Sequence, residues 1–392
     1  MQQTSLRLVS ALSALAAILG TSATAAAFNT PIPIETLKEK LNPGYHHPLD
    51  VDAATPADWA ALRAQVAAGR LRTLPNWTRP FSIAGQTYSY TLVGAAPGKA
   101  LTTVIPTVIV PIRLTVSDYS VDGVHPLVFD GSKAVPSMLG SPIFQASPYA
   151  AGNMQFIDAM LHTEFPDAPR PWHTLFSPSV AAPIDIVAPP GTVKVYTTKS
   201  GGLLGVITDS SIIDSGRQAP VNVWLRGASP ETYVVFVTYN SLESFAFGYH
   251  SWSYVQKKTG AVVYTYTSWL EGLNDAFKIP SPDAATLAHE IAESTHDPLI
   301  TSRTLRWGDA FRGNRCFQSL IEVGDAVEYA PAKQQLWKQT VQAGGTAKTY
   351  TLQTEALLPW FERLTPSPAL GGAYSFPEFS SLTTAAPLTC VG

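Results

Sequence analysis

Residues 281–298 read SPDAATLAHEIAESTHDP, and this stretch decides how the rest of the chain is read. Ser281 as N-cap, Pro282 at the first helical position and Asp283 in the first turn make a helix start, and Pro298 stops the helix near Asp297. Leu287 and Ile291 lie four apart and, with Ala284 and Ala288, mark an apolar side. His289 and Glu293 are also four apart, so both project from one stripe, and the next turn of that stripe carries His296 and Asp297. Glu290 lies one residue, about 100°, around the helix.

This is the spacing of an HExxH zinc helix with Glu293 in place of the second histidine. In that arrangement the side chains at i and i+4 bind the metal, and the glutamate at i+1 stands beside a water as general base. A carboxylate oxygen is an accepted zinc ligand, so the geometry survives the replacement. His289 and Glu293 are therefore the expected metal ligands and Glu290 the expected base. The downstream segment LIEVGDAV, residues 320–327, offers further acids around Gly324. Glu322 is the first choice for the third ligand and Asp325 the second, with Asp297 and His296 behind them. His250, in FAFGYHSW, follows a strand-like aromatic run and is a candidate to line the same cleft as a catalytic residue.

Outward from the helix, residues 101–270 carry short β-branched and aromatic runs bounded by Gly, Pro, Ser or Asn, among them TTVIPTVIVPIRLTV, TYVVFVTYN and AVVYTYTSW. They predict a mixed sheet. The stretch 148–165 predicts one covering helix, with Met154, Ile157, Met160 and Leu161 at helical spacing. The expected class is α/β in the broad α+β sense: a mixed β-sheet with covering helices and a zincin-like metal helix. Four regions follow: a signal peptide at 1–27, an N-terminal appendage at 28–98 with Pro-rich connections, a metal domain at 99–330, and a loop-rich region at 331–392 packed on that domain.

The signal assignment rests on Arg7, the apolar run 8–20 and small residues before a cleavage point near Ala27. Secretion or periplasmic export is expected, with no membrane span in the mature chain, since no other apolar run is long enough. An oxidising compartment permits a bridge between the two cysteines, Cys316 and Cys390. The chain has 392 residues, of which 45% are hydrophobic and 14% charged, at a net charge of −3. That balance excludes intrinsic disorder and gives no basic footprint for nucleic acid.

The set His289-Glu290-Ile291-Ala292-Glu293, Asp297-Pro298, Cys316 and Glu322-Val323-Gly324-Asp325 resembles the HExxE and E-I/V-G-D pattern of a group of secreted bacterial proteins. It is distantly similar to the HELAE, Asn-Pro and E-I-x-D pattern of plant EXORDIUM-like phosphate-induced proteins. The bacterial group also carries steps matched by Gly248-Tyr249-His250, by Ser141 to Phe144 and by Gly152-Asn153. The resemblance covers roughly residues 100–330 and implies a zincin-like fold; His296 departs from the small or polar residue of the pattern. The function expected from residues and resemblance together is an exported zinc hydrolase acting on a peptide or protein substrate. The alternative is a non-catalytic exported binding protein whose acids hold a structural Ca²⁺, because hard carboxylates suit calcium while an imidazole argues for zinc.

Overall fold

The computed structural model describes residues 28–36, 61–62, 64–66, 68–244, 246–255, 259–273, 283–308, 315–316, 318–328, 335–343 and 346–390. The expected signal peptide at 1–27 and the helix-start residues Ser281 and Pro282 lie outside them.

The chain is a mixed α+β protein. Its largest sheet has seven strands, with the order Gly248–Tyr254, Ala261–Trp269, Tyr233–Tyr239, Thr102–Val116, Leu127–Asp130; His173–Val180 and Ile184–Ala188 also pair with Thr102–Val116. Pairing is parallel at the centre and antiparallel at both ends of this order. The central strand is long because it changes partners along its length. His173–Val180 pairs up to Ile109, and Ile184–Ala188 takes over from Ile112. Pro111 falls at that handover, and Pro106 lies one residue before pairing with Tyr233–Tyr239 begins at Thr107. Residues that cannot donate a ladder hydrogen bond are tolerated at such junctions.

Both faces of this sheet are covered, which explains the nearly continuous apolar runs. Along Tyr233–Tyr239, Tyr233, Val235 and Val237 enter one core, and Val234 and Phe236 the other, as the two-residue period of a strand requires. The first core takes in the helix Ala285–His296 through Leu287, Ala288, Ile291 and Ala292, so the predicted apolar side packs into this core, while the helix is buried on all sides. Asp283 anchors the start of this helix: its Oδ1 accepts the amides of Ala284 at 2.5 Å and Thr351 at 2.8 Å.

Three sequence expectations shift. The covering helix is shorter than 148–165, running Phe156–Glu164, because Ser147–Tyr149 and Gly152–Met154 fold as a small hairpin. Residues read as Pro-rich connections in the N-terminal appendage form the hairpin Asn76–Ile83 and Gln86–Val93, turned at Ala84 and Gly85 with φ of 50° and 81°. That hairpin forms a four-stranded sheet with Arg303–Trp307 and Gln318–Leu320, and its Tyr90, Leu92 and Val93 enter the same core as the helix. In the C-terminal region expected to be loop-rich, Leu336–Ala343 and Thr346–Gln353 pair as an antiparallel hairpin. Cys316 and Cys390 form a disulfide, with Cα atoms 4.9 Å apart. No described helix is long and apolar enough to cross a membrane.

Candidate metal centre

Three elements converge on one buried point. The helix Ala285–His296 supplies His289, Glu290 and Glu293; the strand Gly248–Tyr254 supplies His250; the segment after Gln318–Leu320 supplies Glu322 and Asp325. All six side chains belong to residues only 1–4% exposed. Two glycines set the close approach. A Cβ on Gly248 would lie 2.6 Å from Thr286 and 3.0 Å from Glu290, and one on Gly324 would lie 2.4 Å from Nδ1 of His289. Backbone therefore packs directly on the helix at Glu290 and on the ring of His289.

Glu293 organises the centre. Its Oε1 accepts the amides of Gly324 at 3.1 Å and Asp325 at 3.3 Å. Its Oε2 lies 3.1 Å from Nε2 of His289 and 3.3 Å from Nδ1 of His250. Nε2 of His289 is also 3.8 Å from Oδ1 of Asp325, while Nε2 of His250 is 3.8 Å from Oε2 of Glu322. Two metal-compatible triads result, His289–Glu293–Asp325 and His250–Glu293–Glu322, and neither contains both imidazoles. Glu290 lies beside them, its Oε2 3.7 Å from Nδ1 of His250.

The two acids expected as candidates for a third ligand divide between the two imidazoles. Asp325, the second choice, reaches His289. Glu322, the first choice, falls on the His250 side, because the loop amides that grip Glu293 turn the chain between the two acids. His250 faces the acids of the centre.

His296 and Asp297 are directed elsewhere. Nε2 of His296 pairs with Glu164 at 3.0 Å and its Nδ1 lies 2.7 Å from the Ala292 carbonyl. Glu164 also accepts the amide of Leu358 at 2.8 Å, so this pair ties three elements together. Asp297 has already left the helix, with φ of −149°, and its Oδ1 accepts the amides of Thr301 at 2.6 Å and Ser302 at 2.8 Å. Both carry out structural tasks at the helix end, which removes them from the ligand set expected from the stripe.

Sequence reading missed Glu328 and Glu355. Oε1 of Glu328 is 3.9 Å from Nδ1 of His289. Glu355 is fully buried, neither of its carboxylate oxygens has a hydrogen bond, and burial, opposed by His289 and reinforced by Glu293, pushes its pKa up to about 8. Its signal in the sequence is weak: one acid in TLQTEALLPW, a segment otherwise without charge.

The electrostatics are those of a centre with too many acids. Burial opposes protonation of His289, yet Glu293 and Glu290 hold its pKa well above the usual imidazole range. Burial likewise opposes protonation of His250, and Glu322 with the helix acids reverses it. Burial would raise Glu293, but His289 and His250 keep it well below the ordinary carboxylate range. Glu322 and Asp325 are pushed well up by burial and then by Glu293. Neither oxygen of Glu322 has a hydrogen-bond partner. A buried carboxylate without a partner costs several kcal/mol unless a proton or cation neutralises it. Mixed imidazole and carboxylate donors with orphaned oxygens fit a divalent cation.

A third His–carboxylate group, Asp158–His162–His173, lies between the covering helix and the strand His173–Val180. Comparison of the chain with protein-family models, curated proteins and solved structures finds no match.

Proposed function

We propose that the chain is an exported metal-dependent hydrolase of the zincin type, acting on peptide bonds. The observation that carries this reading is the grip on Glu293: one oxygen is fixed by two loop amides and the other is presented to His289, with Asp325 alongside. His289, Glu293 and Asp325 would hold the cation, and the imidazole favours zinc over calcium. Such a cation, when bound, acidifies a water and polarises the carbonyl under attack. Glu290 takes a proton from the attacking water and passes it to the leaving amine. His250, 3.7 Å from Glu290, orients that carboxylate. The resemblance to secreted HExxE proteins and the Cys316–Cys390 bridge support export to an oxidising compartment.

The depth of the centre favours a second reading, in which the same residues hold a structural cation in a non-catalytic exported protein: every candidate ligand is at most 4% exposed. The test is wild type against Glu290→Gln on a peptide library with zinc supplied. The hydrolase reading expects retained metal and a loss of cleavage of roughly 10²–10⁴-fold, the usual contribution of a general base. Equal cleavage by both proteins, or none by either with metal bound, supports the structural reading.

A further inference from the structure

A divalent cation on one side of this centre does not reach every acid in it. Glu290, Glu293, Glu322, Asp325, Glu328 and Glu355 surround two imidazoles in the protein interior. A cation on His289, Glu293 and Asp325 leaves Glu322 on the far side, buried to 1% exposure, with neither oxygen hydrogen-bonded and Nε2 of His250 3.8 Å from Oε2. Among the described residues no triad contains both imidazoles, so a single ion does not engage both at once. The two triads share Glu293, and both imidazoles approach its Oε2, Nε2 of His289 at 3.1 Å and Nδ1 of His250 at 3.3 Å. The amides of Gly324 and Asp325 hold its other oxygen, which keeps Oε2 between the two imidazoles.

We propose that a second divalent cation binds to His250, Glu293 and Glu322, making a two-ion centre in which Glu293 bridges. The inference rests on the reading above that His289, Glu293 and Asp325 hold a cation, and it adds a separate site with its own ligands. In it His250 acts as a ligand, in place of orienting Glu290. Carboxylate-bridged ion pairs roughly 3.5–4 Å apart recur in hydrolases, where the second ion stabilises the leaving side of the displacement. The mixed donor set, one imidazole and two carboxylates, suits Zn²⁺ or Mn²⁺.

The experiment uses the full chain, stripped with chelator and loaded separately with Zn²⁺ and Mn²⁺. Metal content is counted after gel filtration, and the Mn²⁺ form is read by low-temperature electron paramagnetic resonance. The expected result is two ions per chain and a spin-coupled Mn²⁺ spectrum; Glu322→Gln drops the count to one and leaves the signal of an isolated ion. One ion per chain in the wild type overturns the proposal while the single-ion reading stands, and none with either metal overturns both. Two ions without spin coupling also overturn it, by placing the second away from Glu293. The wild-type count and coupling decide the matter even if the variant does not fold.

Discussion

The His–carboxylate cluster around Asp158 and the one around Glu293 differ in one respect that matters. In the Asp158 cluster both carboxylate oxygens have donors: Oδ1 accepts the amide of Thr174 at 3.0 Å, and Oδ2 lies 2.8 Å from Nδ1 of His173. Nε2 of His162 is 2.7 Å from the Trp172 carbonyl, within bonding distance of its own backbone partner. The cluster closes on itself and holds the helix Phe156–Glu164 to the strand His173–Val180. In the centre around Glu293, acids outnumber donors, and the carboxylates of Glu322 and Glu355 accept no hydrogen bond. Spacing between ligand atoms qualifies both clusters equally. Polar satisfaction separates them, because a site built for a cation leaves its ligands unpaired until the cation arrives.

The strongest way to break that contrast is at Gly324. Its backbone has an ordinary helical φ of −74°, so alanine is acceptable to the chain itself, but the added Cβ would stand 2.4 Å from Nδ1 of His289. Gly324→Ala should move His289 off the line to Glu293 and lower metal affinity at least tenfold, alongside an overpacking cost of about 1–3 kcal/mol. Isothermal titration with Zn²⁺ and a denaturant titration measure the two effects separately. Unchanged affinity would mean that the tight seat of His289 has nothing to do with metal.

Asp158→Asn sharpens the contrast from the other side. The amide keeps one acceptor for Thr174 and loses the charge facing His173, so stability should fall by about 1–3 kcal/mol. Metal content should not change. A loss of bound metal in this variant would show that satisfaction by internal donors is the wrong criterion for telling the clusters apart.

How much of this was legible in the sequence follows from the range over which each signal acts. The pair His289 and Glu293 is a local fact of helical period, and the apolar side of the helix pointed to the core that receives it. The acids of residues 320–327 could be nominated but not assigned, since which of them reaches His289 depends on the two amides that grip Glu293. His250 and Gly248 lie two apart on one strand, hence on one face, and that period was the available clue to both. The hairpin from Asn76 to Val93 was hidden by Pro80 and by a turn at Ala84 rather than a second glycine. His296 and Asp297 show the limit of stripe arguments: position on a helix does not decide whether a buried acid elsewhere, here Glu164, has already claimed the side chain.

A third carboxyl pair extends the comparison on a smaller scale. Asp214 and Glu243 are buried on the opposite side of the main sheet from the helix Ala285–His296, and the hydroxyl of Tyr249 donates to Asp214. Among the described residues no imidazole or cationic side chain joins them; the titratable groups that face them are Tyr249, Tyr264 and Tyr266, which burial and these acids hold in the neutral form. Burial, opposed by the Tyr249 hydrogen bond, raises Asp214 to about 6, and burial with the charge of Asp214 raises Glu243 well above its ordinary value. Both folded-state values lie above those of the unfolded chain. The folded state thus retains protons that the unfolded chain releases, and this pair makes stability fall as pH rises from about 4 through about 6. One proton contributes at most about 1.4 kcal/mol per pH unit. Denaturant midpoints of wild type and Asp214→Asn, compared between pH 4.5 and pH 7, should therefore diverge, with the wild type losing more stability on the way up. Parallel midpoints would mean that the pair stays ionised in the fold, and that an uncompensated buried carboxylate is tolerated here without a proton or a cation.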